Sequence, residues 1–259
     1  MQADMDDPSV DILGSRVHLV STVRTVDHME RWIRARDGQC KHVVVTGFHG
    51  LWLAHEDAQL RSVLNGAELW APDGIAAVWA ARARGHRNVE RATGEAIMRE
   101  YFRRAHERGY SSFFYGDTDA TLSALRVALM REYPRHKIAG MFSPPFRTLT
   151  PDEDRAIVDR INITRPDVLW VSLGMPKQDL WVYEHLTQLQ VPVAIGVGAA
   201  FSFIAGTVAR CPEWMGRMGF EWVYRFLQEP KKLWRRDLLA GPRFVIKVGW
   251  ELFRDQPND

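Results

Sequence analysis

The sequence predicts an α/β fold: a parallel sheet with helices on both faces, followed by a small helical C-terminal appendage. Three observations carry this. Short apolar runs alternate with amphipathic stretches through the middle of the 259-residue chain. The runs are almost continuously apolar, as strands buried on both faces are. Most of them end in a turn where glycine stands beside a polar or charged residue, the composition expected where backbone approaches a ligand.

In order, Lys41–Thr46 (KHVVVT) reads as a buried strand and 50–64 as a helix. A short strand over 68–71 ends at Pro72-Asp73-Gly74, and 75–84 returns as a helix. A helix over 95–107 stops at Gly109, and a strand over 112–115 (SFFY) runs into Gly116. A helix over 118–133 has Asp117 or Thr118 as its cap, and 137–141 is a strand. Residues 150–163 open with Thr-Pro-Asp-Glu, with proline in the first turn of a helix. Residues 167–173 (DVLWVSL) form a strand, 177–188 a helix and 193–197 (VAIGV) a strand. This alternation gives a Rossmann-like core, whose ligands belong at the carboxyl ends of the strands. Three segments follow: a disordered 1–10, a core over 11–211, and an appendage over 212–259.

The composition is that of a globular protein, 46% hydrophobic and 25% charged. Cys40 and Cys211 are far apart and suggest neither a disulfide framework nor a zinc site, which fits a reducing cytoplasm. The polar, acidic first ten residues are not expected to be a targeting segment, and no run of 18 apolar residues exists. Charge is uneven. Residues 225–247 hold seven basic side chains against Glu229 and Asp237, a local net of +5, so the rest of the chain sums to −3. Trp214, Trp222, Trp234 and Trp250 are spread through the same tail, which reads as two or three helices split at Pro230 and Gly241-Pro242. Lipid phosphates, nucleic acid, or plain packing on the core each fit that composition.

The candidate chemistry lies in the turns after the strands. Asp73 is placed to take a proton from a hydroxyl, although Pro-Asp-Gly is also a common tight turn. Gly196-Val197-Gly198-Ala199-Ala200 could cradle a phosphate at a helix N-terminus, but it is not GxGxxG and supports no dinucleotide site. Asp117-Thr118-Asp119 matches a DxD metal pattern, and a helix cap is the stronger reading. The nine histidines form no HxxxH or HExxH, so a zinc hydrolase is not expected. His49 alone follows a strand.

From about Val10 to Phe244 the chain resembles the WecG/TagA/CpsF family of bacterial glycosyltransferases. The most specific element is 220–236 (FEWVYRFLQEPKKLWRR). Pro72-Asp73-Gly74, Arg91-Ala92-Thr93-Gly94, Gly174-Met175-Pro176-Lys177-Gln178 and Gly196-Val197-Gly198-Ala199-Ala200-Phe201 also match. The resemblance implies transfer of a sugar from a nucleotide sugar, usually UDP-linked, to a polyprenyl-diphosphate-linked sugar at the inner face of the cytoplasmic membrane. It implies metal-independent catalysis without a cofactor, and products such as teichoic acids, common antigen, capsules or exopolysaccharides. Asp73 matches the proposed base. Thr46, Arg91 and Gln178 match pocket residues, and His49, Gly94, Gly116, Gly198 and Ser202 stand in the same turns or motifs. Arg225, Lys232, Arg235 and Arg236 match the basic appendage thought to hold diphosphate and meet the membrane. Four positions depart from the family pattern: Phe48 for the usual Asn, Ala96 and Ser202 for Asp, and Asp179 for Glu. The expected partners are the donor, the lipid acceptor and an anionic membrane surface, not nucleic acid; a homo-oligomer is left open. The rival reading is a catalytically silent relative that binds a nucleotide sugar or scaffolds a polysaccharide complex.

Overall fold

The computed structural model describes residues 7–86, 89–209, 211, 215, 224 and 240–254. Its centre is a six-stranded sheet built from β3 (Lys41–Thr46), β4 (Leu69–Pro72), β5 (Ser111–Gly116), β6 (Lys137–Phe142), β7 (Val168–Ser172) and β8 (Val193–Gly196). The order is β4-β3-β8-β7-β5-β6, and every pairing is parallel. The expected α/β class is therefore present.

Side chains alternate between the faces, as the strand period of two requires. Val43, Val45, Trp170 and Ile195 face one layer, formed by α1 (Thr22–Ala35), α5 (Gly94–Arg108), α6 (Asp119–Glu132) and α9 (Ala200–Ala205). Val44, Trp70, Leu169 and Val171 face the other, formed by α2 (Phe48–Glu56), α3 (Ala58–Asn65), α4 (Ile75–Ala83), α7 (Pro151–Thr164) and α8 (Lys177–His185). Helices leaving adjacent strands β3, β8, β7 and β5 thus go to alternate faces. That splaying opens a crevice above the carboxyl edge.

Several sequence expectations are corrected. The first ten residues were expected to be disordered, yet Ser9 and Val10 belong to β1 (Ser9–Ile12), which pairs antiparallel with β2 (Ser15–His18). The hairpin turns at Leu13 and Gly14, both with positive φ. His18 Nδ1 accepts the Trp70 amide at 3.0 Å, so β2 covers the open edge of β4. The single helix over 50–64 is two helices, because the Asp57 carboxylate accepts the Gln59 and Leu60 amides and starts α3 anew. The helix expected over 177–188 ends at His185. Two caps match their sequence signals: Thr118 caps α6, and Thr150 forms a capping box with Glu153 on α7.

The last described helix, α10 (Gly241–Arg254), starts at the boundary read from Gly241-Pro242. It is not a detached element. Phe244 and Val248 are buried in the core with α2 and α4, and Phe244 lies 6.1 Å from the Phe48 ring, centroid to centroid. Glu251 accepts the Leu13 amide and pairs with Arg84 at 2.8 Å. Val245, Ile246, Trp250 and Phe253 remain exposed, among Arg243, Lys247 and Arg254.

One buried group makes the fold acid-sensitive. His136 is 9% exposed and lies against the rings of Tyr101 and Phe102. Burial, reinforced by the nearby His106 charge, pushes its pKa down from 6.5 to about 4. The unfolded chain therefore takes up this proton at higher pH than the folded one. The stabilisation is fully present above pH 6.5 and is lost as pH falls towards 4, in total roughly 3 kcal/mol. Urea melts of the wild type and His136→Leu over this range should show that the variant lacks this share of the acid loss. Parallel pH profiles would contradict it.

Candidate active site

The strand register brings the turn residues together at the carboxyl edge. Thr46, the last residue of β3, lies opposite Pro72, the last of β4. The two turns that follow touch through glycines. A β-carbon on Gly74 would lie 2.9 Å from the Gly47 Cα, so this approach excludes any side chain there. Gly50 is equally constrained, since a β-carbon would lie 2.2 Å from Thr46 Oγ1. Thr46 is thereby clamped beneath the first turn of α2, which also carries Phe48 and the half-buried His49.

Asp73 is half-buried and follows β4 directly. Its carbonyl accepts Arg91 Nε at 3.0 Å, and the Pro72 carbonyl accepts the Ala92 amide at 2.9 Å. Arg91 is thus fixed beside the Asp73 turn. Thr93 then caps α5, whose first residue, Gly94, abuts β8: a β-carbon there would lie 2.9 Å from the Val197 carbonyl oxygen. Ala96 offers only its amide, which donates to Thr93 Oγ1.

On the other side, Gln178 is buried in the first turn of α8, and its Oε1 accepts the Gly198 amide at 3.0 Å. Ser172 Oγ donates to the Gly198 carbonyl at 2.6 Å, so β7, β8 and α8 together hold this loop. Beneath it, Asp179 Oδ1 and His42 Nε2 lie 3.3 Å apart with both side chains fully buried. Gly116 ends β5 at φ +120°. Beyond it Ser202 Oγ donates to Asp117 Oδ2 at 2.9 Å.

The nine core residues named from the sequence (Thr46, His49, Asp73, Arg91, Gly94, Gly116, Gln178, Gly198 and Ser202) thus all lie along one edge of the sheet. Arg225, Lys232, Arg235 and Arg236 lie outside the described residues. The sequence reading missed Ser172 and Ser143, whose hydroxyls donate to backbone carbonyls at this edge; isolated serines carry no pattern that would have marked them.

Four helices start at the crevice without a side-chain cap: α2 after Gly47, α4 after Gly74, α8 after Pro176 and the short α9 after Ala199. Those starting at Thr22, Ala58, Gly94, Asp119 and Pro151 all carry side-chain caps. Bare N-termini present amide hydrogens and positive dipole ends, which suit an anion. A cleft of about 350 Å³ near the opposite edge, between α1 and α5, is a weaker candidate. Its Arg104 is already paired with Asp27 and Glu30, and Arg108 with Glu30.

Fold and edge together define an α/β protein of the doubly wound class, with a crevice at the carboxyl edge where ligands of such folds bind. Residues 10–258 match the family described as "Glycosyl transferase WecG/TagA/CpsF family", and the chain belongs to it. Similar proteins include the N-acetylglucosaminyldiphosphoundecaprenol N-acetyl-beta-D-mannosaminyltransferases of Bacillus subtilis (strain 168) and Staphylococcus aureus (strain MW2). The first is 30% identical over 196 residues, 75% of this chain and 73% of its own. The second is 27% identical over 239 residues, 92% and 91% respectively. The chain is accordingly a glycosyltransferase. No helix among the described residues is long and apolar enough to cross a membrane.

Proposed function

We propose that the protein transfers an N-acetylhexosaminyl group, N-acetylmannosamine first among candidates, from its UDP conjugate to N-acetylglucosaminyl-diphospho-polyprenol. The observation that carries this is Asp73, directly after β4 on a turn that Gly47 and Gly74 press against the Thr46 loop. Its carboxylate takes the proton of the acceptor hydroxyl. The hydroxyl oxygen attacks the anomeric carbon, and the bond to the nucleoside diphosphate breaks. A single displacement inverts the anomeric centre, which agrees with the β linkage named in the relatives.

The leaving diphosphate needs positive charge. In this reading the bare ends of α2, α4 and α8 supply it together with Arg91 and the appendage residues Arg225, Lys232, Arg235 and Arg236, and no metal ion is required. The appendage, 212–259, also meets the inner face of the membrane, where the acceptor resides. The exposed Ile246, Trp250 and Phe253 of α10, flanked by Arg243, Lys247 and Arg254, support that contact.

The test is a transfer assay with UDP-N-acetylmannosamine, UDP-N-acetylglucosamine and UDP-glucose, on N-acetylglucosaminyl-diphospho-polyprenol in detergent. UDP release that depends on the acceptor, with one preferred donor and rates unchanged in excess EDTA, is expected. Acceptor-independent hydrolysis only, or no turnover with any donor, would overturn the substrate assignment. Collapse of the rate in EDTA would overturn metal independence.

A further inference from the structure

The Asp117-Thr118-Asp119 motif is divided by the fold. Thr118 caps α6, Asp119 enters its first turn, and Asp117 stands apart in the left-handed region at φ +57°. That backbone state is uncommon for a residue other than glycine, though aspartate tolerates it. Asp117 is held there from several sides. Its amide donates to the Ser172 carbonyl at 2.9 Å, and its own carbonyl accepts Ser143 Oγ at 2.7 Å. Its carboxylate is engaged on each oxygen: Oδ1 by the Thr118 amide at 2.8 Å and Oδ2 by Ser202 Oγ at 2.9 Å. A carboxylate has about four acceptor positions, two per oxygen. One remains on each oxygen, and the residue is only half-buried. Two acceptors on a fixed carboxylate match two adjacent hydroxyls.

Position selects which hydroxyls. In the sheet order, four strand spacings separate β4, which precedes Asp73, from β5, which precedes Asp117, a distance of roughly 19 Å. A donor whose anomeric carbon lies at Asp73 cannot also bring its transferred sugar to Asp117. In the donor reading above the nucleoside lies on the far side of the diphosphate, and the Gly198 loop and the α8 N-terminus stand between the two carboxylates in the strand order. The nucleoside ribose carries a vicinal diol, and carboxylates after strands read that diol in other doubly wound folds.

We infer that Asp117, steadied by Ser202, accepts hydrogen bonds from the ribose 2′ and 3′ hydroxyls of the donor, and so is a specificity-determining residue for its nucleotide half. The inference rests on the donor reading above. It explains why Ser202 serves this chain: its hydroxyl orients a carboxylate supplied from 85 residues away.

Calorimetry of the full-length protein with UDP, 2′-deoxy-UDP and 3′-deoxy-UDP tests it. Asp117→Gly suits the positive φ and removes the carboxylate. The wild type should bind UDP about tenfold or more tightly than either deoxy compound, the size of a lost hydrogen bond to a charged group. Asp117→Gly removes both bonds at once: it should weaken UDP by about a hundredfold and each deoxy compound, which keeps one hydroxyl, by about tenfold, and so erase the preference. Ser202→Ala should weaken UDP by a few-fold in the same sense and give a second reading should Asp117→Gly fold poorly. Equal affinity of the wild type for UDP and both deoxy compounds would overturn the assignment while leaving the donor reading intact. Equal losses for all three nucleotides in both variants would do the same. A wild type that binds none of the three would overturn the donor reading as well.

Discussion

Asp73→Asn is expected to lower kcat by about a thousandfold while leaving donor affinity within about threefold of the wild type. General bases contribute some 10² to 10⁴ in rate, and a thousandfold is about 4 kcal/mol of barrier. The amide has the shape of the carboxylate but cannot take a proton at neutral pH. The local frame should survive, because contacts made through the backbone hold the turn whichever side chain stands at 73: the Asp73 carbonyl to Arg91, the Pro72 carbonyl to Ala92, and the Gly47–Gly74 approach. Steady-state transfer kinetics beside calorimetry with UDP separate the two effects. Turnover near the wild-type level would exclude Asp73 as the base. Equal loss of turnover and donor binding would make it a binding residue instead.

Gly116→Ala should cost about 3 kcal/mol or more, a large part of the stability of an ordinary domain. Two penalties combine. The backbone sits at φ +120°, a region nearly closed to L side chains, and a β-carbon would lie 2.3 Å from the Ser172 carbonyl oxygen. That oxygen is backbone of β7 in the Gly116↔Ser172 pair and cannot swing aside. The melting temperature should fall by roughly 6–12 °C, given about 2–4 °C per kcal/mol for a chain near this size. Gly174→Ala is the control. It also sits at positive φ, +77°, but nothing lies within 4 Å of its β-carbon position. Its loss should be near 1 kcal/mol, strain alone. Similar losses in the two variants would mean that the approach of β5 to β7 is softer than these distances imply.

The sheet was legible in the sequence because its strands are buried on both faces. KHVVVT and DVLWVSL need no partner to be recognised. The turns were legible for the same reason, since each follows such a run. The β1–β2 hairpin was not, because four-residue strands leave too few alternations to stand out beside an acidic leader. The break at Asp57 was hidden as well. In a helical pattern an exposed Asp looks like any solvent-facing position, and only its hydrogen bonds to Gln59 and Leu60 reveal a second start. At the site, sequence spacing pointed to Asp73 without separating a turn from a base. It could not show that Gly47 and Gly74 touch, or that Asp117 meets Ser202. Those are encounters between segments 27 and 85 positions apart, set by strand order rather than by local pattern. The helix-cap reading of the DxD spacing holds, with Thr118 as the cap, but the spacing did not show that the fold sends its two carboxylates to different tasks.

The attachment of α10 to the hairpin sets an order of events during synthesis. Leu13 and Glu251 lie 238 positions apart, and one accepts what the other donates. At ribosomal rates of about 5–20 residues per second, the hairpin waits roughly 10–50 s after emerging before its partner exists. Over that interval the layer built from α2 and α4 lacks Phe244 and Val248. A nascent chain stalled short of residue 240 would present that uncovered apolar surface to chaperones. A bulky fusion placed just after α10 would hinder the step that closes it. The hairpin is thus closed by a helix made 238 positions after it.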